Sequence, residues 1–142
     1  NLASNTWLKT GGNADIFFIP EGVNDLRKFL KTIKNNLSFY ILGAGSNTLI
    51  PDHFFDGIVI KLGKNFNNIS LHSENIIIAG GAVLDKTLSE FAMKNSIGGL
   101  EFLYCIPGSV GGGIRMNAGC FEKEFTYFKQ RKLRFDFLHC WS

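Results

Sequence analysis

The sequence predicts an α/β or α+β protein, and three observations carry that expectation. Apolar runs of strand length alternate with segments whose apolar residues recur every three or four positions. The runs end in clustered glycines, such as Gly43 and Gly45 or Gly80 and Gly81. At 142 residues and 45% hydrophobic, the chain has the size and apolar content for a packed core, which excludes a disordered or collagen-like polypeptide.

Each element follows from the residues in order. Residues 15–19 (DIFFI) form an apolar run closed by Pro20 and read as a strand. A helix follows, with Val23, Leu26, Phe29, Leu30 and Ile33 on one face and Arg27, Lys28, Lys31 and Lys34 on the other. Gly22 or Asn24 caps its start, and Asn35-Asn36 closes it. Residues 39–42 (FYIL) lack alternation, so this strand is expected to be buried on both faces. Residues 57–62 (GIVIKL) are a third strand. The polar stretch 65–73 reads as a boundary between two subdomains. Residues 75–79 (NIIIA) give a fourth strand, ending at Gly80-Gly81. In the second helix Leu84, Leu88, Phe91 and Ala92 share a face, and Asn95 and Gly98-Gly99 stop it. Residues 101–119 are glycine-dense with little periodicity, and three consecutive glycines there argue against a helix interior. From Phe121 onward the texture turns aromatic and charged. No internal repeat or low-complexity tract is present.

Composition narrows the function classes. No apolar stretch reaches the roughly 18–20 residues of a membrane span, and no basic-then-apolar leader suggests a signal peptide. A net charge of +3 is too small to imply nucleic acid, and the basic cluster from Lys129 to Arg134 reads as a solvated face. Cys105, Cys120 and Cys140 are odd in number and lack a C-x-x-C spacing, so neither a disulfide framework nor zinc is expected. A reducing cytoplasm fits them. His53, His72 and His139 have no paired ligand spacing, so no metal site is expected. Cys105 sits in an apolar context and reads as core, and the lone Glu101 as a cap or ion pair.

Three segments are built for chemistry. The strand 39–42 runs into Gly43, Ala44, Gly45, Ser46, Asn47, Thr48 and Leu49. Two glycines let backbone N–H groups converge on an anion, with the polar side chains adding donors, as in phosphate-binding nests. Thr48 stands where a dinucleotide fingerprint needs a third glycine, and Pro51 follows where its helix would run. The same residues would also suit a tight turn held by Asn47. The second segment is Ile106, Pro107, Gly108, Ser109, Val110, Gly111, Gly112 and Gly113. No Lys follows the glycines, so it is not a Walker loop. It suits a flat ring lying on backbone, or a crossover packed on a neighbouring strand. The third, Arg115 to Gly119, has Asn117 as a donor and acceptor and continues the second.

Taken in order, residues 6–15 (TWLKTGGNAD), 42–49 (LGAGSNTL), 57–60 (GIVI), 99–103 (GLEFL), 106–112 (IPGSVGG) and 116–119 (MNAG) resemble the UDP-N-acetylenolpyruvoylglucosamine reductase family, also called UDP-N-acetylmuramate dehydrogenase, of bacterial cell-wall synthesis. The likeness spans residues 5–124. It implies an α+β, two-subdomain FAD-binding fold of the PCMH-type flavoprotein superfamily with its second subdomain incomplete. The expected parts are residues 1–66, residues 67–124 and a divergent tail, 125–142, with the substrate domain absent. By resemblance, Gly43 to Leu49 would cradle the FAD diphosphate. Ile106, Pro107, Gly108, Ser109, Gly111 and Gly112 would line the flavin, with Asn117, Ala118 and Gly119 completing that wall and Gly80 and Gly81 facing the cofactor. Gly113 stands where the family often has Ala, and Cys105 where it often has Gly.

The implied reaction uses NADPH to reduce FAD, and the reduced flavin then reduces UDP-N-acetylglucosamine enolpyruvate to UDP-N-acetylmuramate for peptidoglycan, in the cytoplasm. The implied partner is the UDP-sugar, without nucleic acid or membrane, and a separate C-terminal fragment would supply the rest. The family's Tyr-Arg pair, Ser or Cys proton donor and C-terminal Glu are not found in this sequence, and Arg131 and Arg134 lack the Tyr-Arg context. No catalytic residue is therefore assigned. Residues 125–142 read as a shifted reading frame or truncated product, so the expectation is a catalytically incomplete fragment. The alternatives are another FAD-linked oxidoreductase of that superfamily and a non-catalytic flavin-binding fragment.

Overall fold

The computed structural model describes residues 1–33 and 37–126. The expected helix stop at Asn35-Asn36, the Lys34 position, the basic cluster, His139 and Cys140 lie outside the described residues. The chain divides into two compact units, Asn1–Asn65 and the residues from Phe66 onward.

The first unit is a small parallel sheet with one crossover helix. Strand β1 (Ala14–Phe18) leads through α1 (Val23–Thr32) to β2 (Phe39–Leu42), and β3 (Phe55–Lys61) then inserts between them. Both pairings are parallel, in the order β1-β3-β2. Apolar spacing makes α1 amphipathic, and Leu26 is its buried residue. Phe29 stacks on Phe18 of β1 with ring centroids 3.9 Å apart, which ties the helix to the sheet. Val59 of β3 packs with Leu2 and Leu42, while Ile58 and Ile60 are also buried.

Strand β2 corrects one expectation. It was read as buried on both faces, yet Ile41 is 58% exposed and of its four residues only Leu42 is buried. An unbroken apolar run marks a strand covered on both faces, and here the buried run is Gly57 to Ile60 of central β3. Strand β2 is an edge.

The second unit combines an antiparallel hairpin with two helices. Strands β4 (Ile69–Ser73) and β5 (Ile76–Ala79) pair directly. The polar stretch read as a boundary thus holds a strand, exposed at every residue after Ile69. Helix α2 (Asp85–Lys94) buries Leu88 and Ala92, but Leu84, expected on that face, caps the helix and is exposed, while Asp85 is buried. Residues Glu101–Cys105 form a 3-10 turn that buries Phe102 and Leu103, whereas Cys105 is exposed instead of joining the core. Beyond it lie α3 (Val110–Met116) and the hairpin of β6 (Gly119–Cys120) and β7 (Lys123–Glu124).

Helix α3 overturns the expectation that its glycines exclude a helix. It runs through Gly111, Gly112 and Gly113, although each glycine costs about 1 kcal/mol relative to alanine. Its ends are fixed from both sides. The Ser109 hydroxyl accepts the Gly112 N–H at the start, and Asn117, at φ +48, closes the end while its N–H donates back into the last turn. Packing supplies the rest: a Cβ on Gly113 would overlap the Phe125 ring, and one on Gly111 would stand 2.9 Å from the Gly81 carbonyl. Phe125, at the start of the expected divergent tail, is a core residue that meets Phe102 edge to face.

Gly113→Ala should therefore destabilise the protein by about 1–3 kcal/mol in urea unfolding, despite alanine's higher helix propensity. Gly112→Ala, whose Cβ would meet only the Ser109 hydroxyl at 3.3 Å, should be neutral or stabilising by up to about 1 kcal/mol.

Candidate functional site

In the first unit, Leu42 pairs with Lys61, so β2 and β3 end level with each other. The chain leaves this carboxyl edge through Gly43. Ligands of open parallel sheets bind outside that edge. Gly45 sits at φ +70, and a Cβ there would overlap the Asn5 carbonyl. Its own carbonyl accepts the Trp7 N–H at 2.9 Å. The N-terminal segment, itself braced by the Thr6 hydroxyl donating to Thr10 O, thus fixes the back of the loop. Glycine is required here by both conformation and space.

The front of the loop is unengaged. Among the described residues, no N–H of residues 44–49 donates a hydrogen bond to the protein, and the Ser46, Asn47 and Thr48 side chains make none. Asn47 closes no turn, so the polar side chains do not hold the loop in shape. What remains is a half-buried row of donors on a rigid strand end. Such a row suits a bound anion such as a phosphate or diphosphate.

In the second unit, the segment after β5 lies antiparallel to the segment that opens α3. Val110 N–H donates to Val83 O at 2.8 Å, Asp85 N–H to Gly108 O at 3.1 Å, and Gly111 N–H to Gly81 O at 3.0 Å. Gly81 and Gly111 are therefore brought together as backbone on backbone. Gly80 closes against the Phe66 carbonyl. Packing inside the unit thus demands glycine at 80 and 111. Asn117 is engaged at both ends: its amide nitrogen donates to Glu124 Oε2 at 2.6 Å, and its amide oxygen accepts the Thr126 N–H at 2.9 Å. Ala118 N–H donates to Gly113 O, and Gly119 lies against Lys123 O. Residues 117–119 thus lock α3 to the β6-β7 hairpin. Glu101 accepts the Gly99 N–H, which holds its carboxyl below the usual range, and it meets Lys123 at 3.8 Å.

One residue escaped the sequence reading. Asp85 is 0% exposed at the first turn of α2, against Gly108, and neither carboxylate oxygen has a hydrogen-bond partner among the described residues. Burial with nothing to offset it pushes this carboxyl up to about 7. An acid between Leu84 and Leu88, in the first turn of an amphipathic helix, reads in sequence as a helix-dipole residue facing solvent.

Comparison with known proteins gives a consistent result. Residues 14–131 match the model of a family described as FAD binding domain. A protein of Pelagibacter ubique named UDP-N-acetylenolpyruvoylglucosamine reductase is 57% identical over 125 residues, covering 88% of this chain and 41% of that protein. The like-named protein of Orientia tsutsugamushi is 44% identical over 127 residues, covering 87% and 42%. The solved structure of UDP-N-acetylenolpyruvylglucosamine reductase from Thermus caldophilus superposes with a TM-score of 0.71 at 30% identity, covering 87% of this chain and 42% of that one. The chain thus spans about two fifths of the length of the relatives it matches.

The Asp85 carboxyl gives a measurable pH dependence. Its usual value is 3.8 and its folded value about 7, so between these the folded state holds a proton the unfolded state has lost. The stability this site contributes is full below about pH 4, falls as pH rises and is gone above about pH 7. Asp85→Asn should flatten that slope in urea titrations and gain about 2–4 kcal/mol in the alkaline range.

Proposed function

We infer that this chain, which belongs to the FAD binding domain family, holds the cofactor of a reductase acting on UDP-N-acetylglucosamine enolpyruvate. The observation that carries the reading is the unengaged row of N–H donors on residues 44–49, at the carboxyl edge of a parallel sheet. The names of the relatives support the choice of reaction.

Bound FAD would supply hydride-transfer chemistry between NADPH and the enolpyruvyl double bond of the UDP-sugar, the reduction that leads to UDP-N-acetylmuramate for peptidoglycan. The residues of this chain bind and orient. Backbone N–H groups of residues 44–49 take the diphosphate, and Ser46, Asn47 and Thr48 replace hydrogen bonds it loses on leaving water. Ile106, Pro107, Gly108, Ser109, Gly111 and Gly112, the turn that leads into α3 and its first residues, would line the flavin ring. Gly80 and Gly81 back that segment through the Gly81–Gly111 contact. Asn117, Ala118 and Gly119 stiffen its far end.

The proton that completes reduction is assigned to no described residue. Residues that grip the UDP-sugar and deliver that proton belong to the remaining three fifths of the reductase, on the same or a separate polypeptide. No helix among the described residues is long and apolar enough to cross a membrane. A reaction drawing on NADPH and a UDP-sugar fits the cytoplasm.

The purified chain should retain FAD, with its visible absorption band and quenched fluorescence. It should not turn over NADPH with the enolpyruvyl substrate. Gly45→Val, which drives a side chain into the Asn5 carbonyl from a strained φ, should weaken FAD binding about tenfold or more. A chain that takes up no FAD would overturn the reading, and clear turnover would overturn the assignment of the proton donor elsewhere.

A further inference from the structure

We propose that Lys61 is a diphosphate-binding residue, its ammonium supplying the full positive charge that the backbone donors of residues 44–49 lack. The proposal rests on the reading of that loop given above and deepens it. Lys61 is the last residue of the central strand β3, in register with Leu42, from which the chain enters the loop. Its position is thus the carboxyl edge where a ligand of this sheet would sit.

The contacts of Lys61 are unusual for a half-buried cation. Its Nζ donates to Asn5 Oδ1 at 3.0 Å, and among the described residues no carboxylate lies within ion-pair reach. An amide oxygen orients an ammonium without neutralising it. The Asn5 backbone is also the surface that Gly45 closes against. One residue therefore fixes the back of the loop with its carbonyl and steers the Lys61 ammonium with its side chain. Among the described residues, two of the three Nζ donors have no partner and are open to a ligand. A nest of amides contributes only partial charges, whereas a diphosphate carries two full negative charges that a lysine meets as a point charge. Neither the ring-binding wall nor the packing of the first unit needs a cation at this place.

The test titrates FAD and riboflavin, which lacks phosphate, into the wild-type chain and into Lys61→Met and Lys61→Arg, with thermal melting alongside. Wild type should prefer FAD. Lys61→Met should weaken FAD about tenfold or more, leave riboflavin within about twofold, and keep its melting temperature, while Lys61→Arg recovers most of the FAD affinity. If Lys61→Met keeps the wild-type preference, Lys61 is not a diphosphate ligand and the loop reading stands. If FAD and riboflavin weaken alike, or melting falls, Lys61 is a prop acting through Asn5 and the proposal is wrong. If the wild type itself does not prefer FAD over riboflavin, the loop reading fails and takes this inference with it.

Discussion

Where Gly113 faces Phe125, one added carbon would overlap the ring, and where Gly45 faces Asn5, one would overlap a carbonyl. The same close approach recurs at Gly111 and Gly81, where backbone lies on backbone. These contacts set the shape of everything near the candidate site. They bring α3 against the core of the second unit, and they seat residues 43–49 on the N-terminal segment of the first. The glycines spend chain entropy and helix propensity, and packing returns it. A glycine-rich surface of this kind is stiff, because each backbone is wedged against its neighbour.

Much of the fold was legible in the sequence because period and burial agree in it. β1, α1, β5 and α2 follow the spacing of Phe17 and Phe18, Leu26 and Phe29, Ile77, Leu88 and Ala92. β2 misled because apolarity reports what a residue would tolerate, while position in the sheet decides what covers it. β4 hid in polar residues because its pairing is with β5 alone and only Ile69 of its five residues is partly buried, so little apolar pattern was required of it. α3 hid because its helix is owed to Ser109, Asn117 and Phe125, residues outside or at the ends of the glycine run.

The candidate site divides in the same way. The glycine loops stand out in the sequence, since only glycine meets a demand for positive φ or close approach, and the likeness to a known family gives them a cofactor. Single charges do not stand out. Asp85 and Lys61 acquire meaning only from their surroundings: one acid sealed without a partner beside Gly108, one cation tied to a neutral amide beside Gly45. Their environments are opposite. The acid is held where its charge is disfavoured, and the cation where its charge is steered but left unneutralised. Neither arrangement can be read from spacing along the chain, because the partner in each case is defined by folding.

The strand that launches the anion loop is also the edge of its sheet. Among the described residues β2 pairs on one side only, and Phe39, Tyr40 and Ile41 stand exposed along it. An edge of bare N–H and C=O groups flanked by apolar side chains is a template for another strand. The strand that leads into residues 43–49 is thus also the place where a second strand could pair. Two demands compete at one place: a straight, unobstructed strand end for the ligand, and a guarded edge against aggregation. A charge or proline placed in β2 to protect the edge would sit within three residues of the loop it supports, so solubility and cofactor affinity would have to be tuned together.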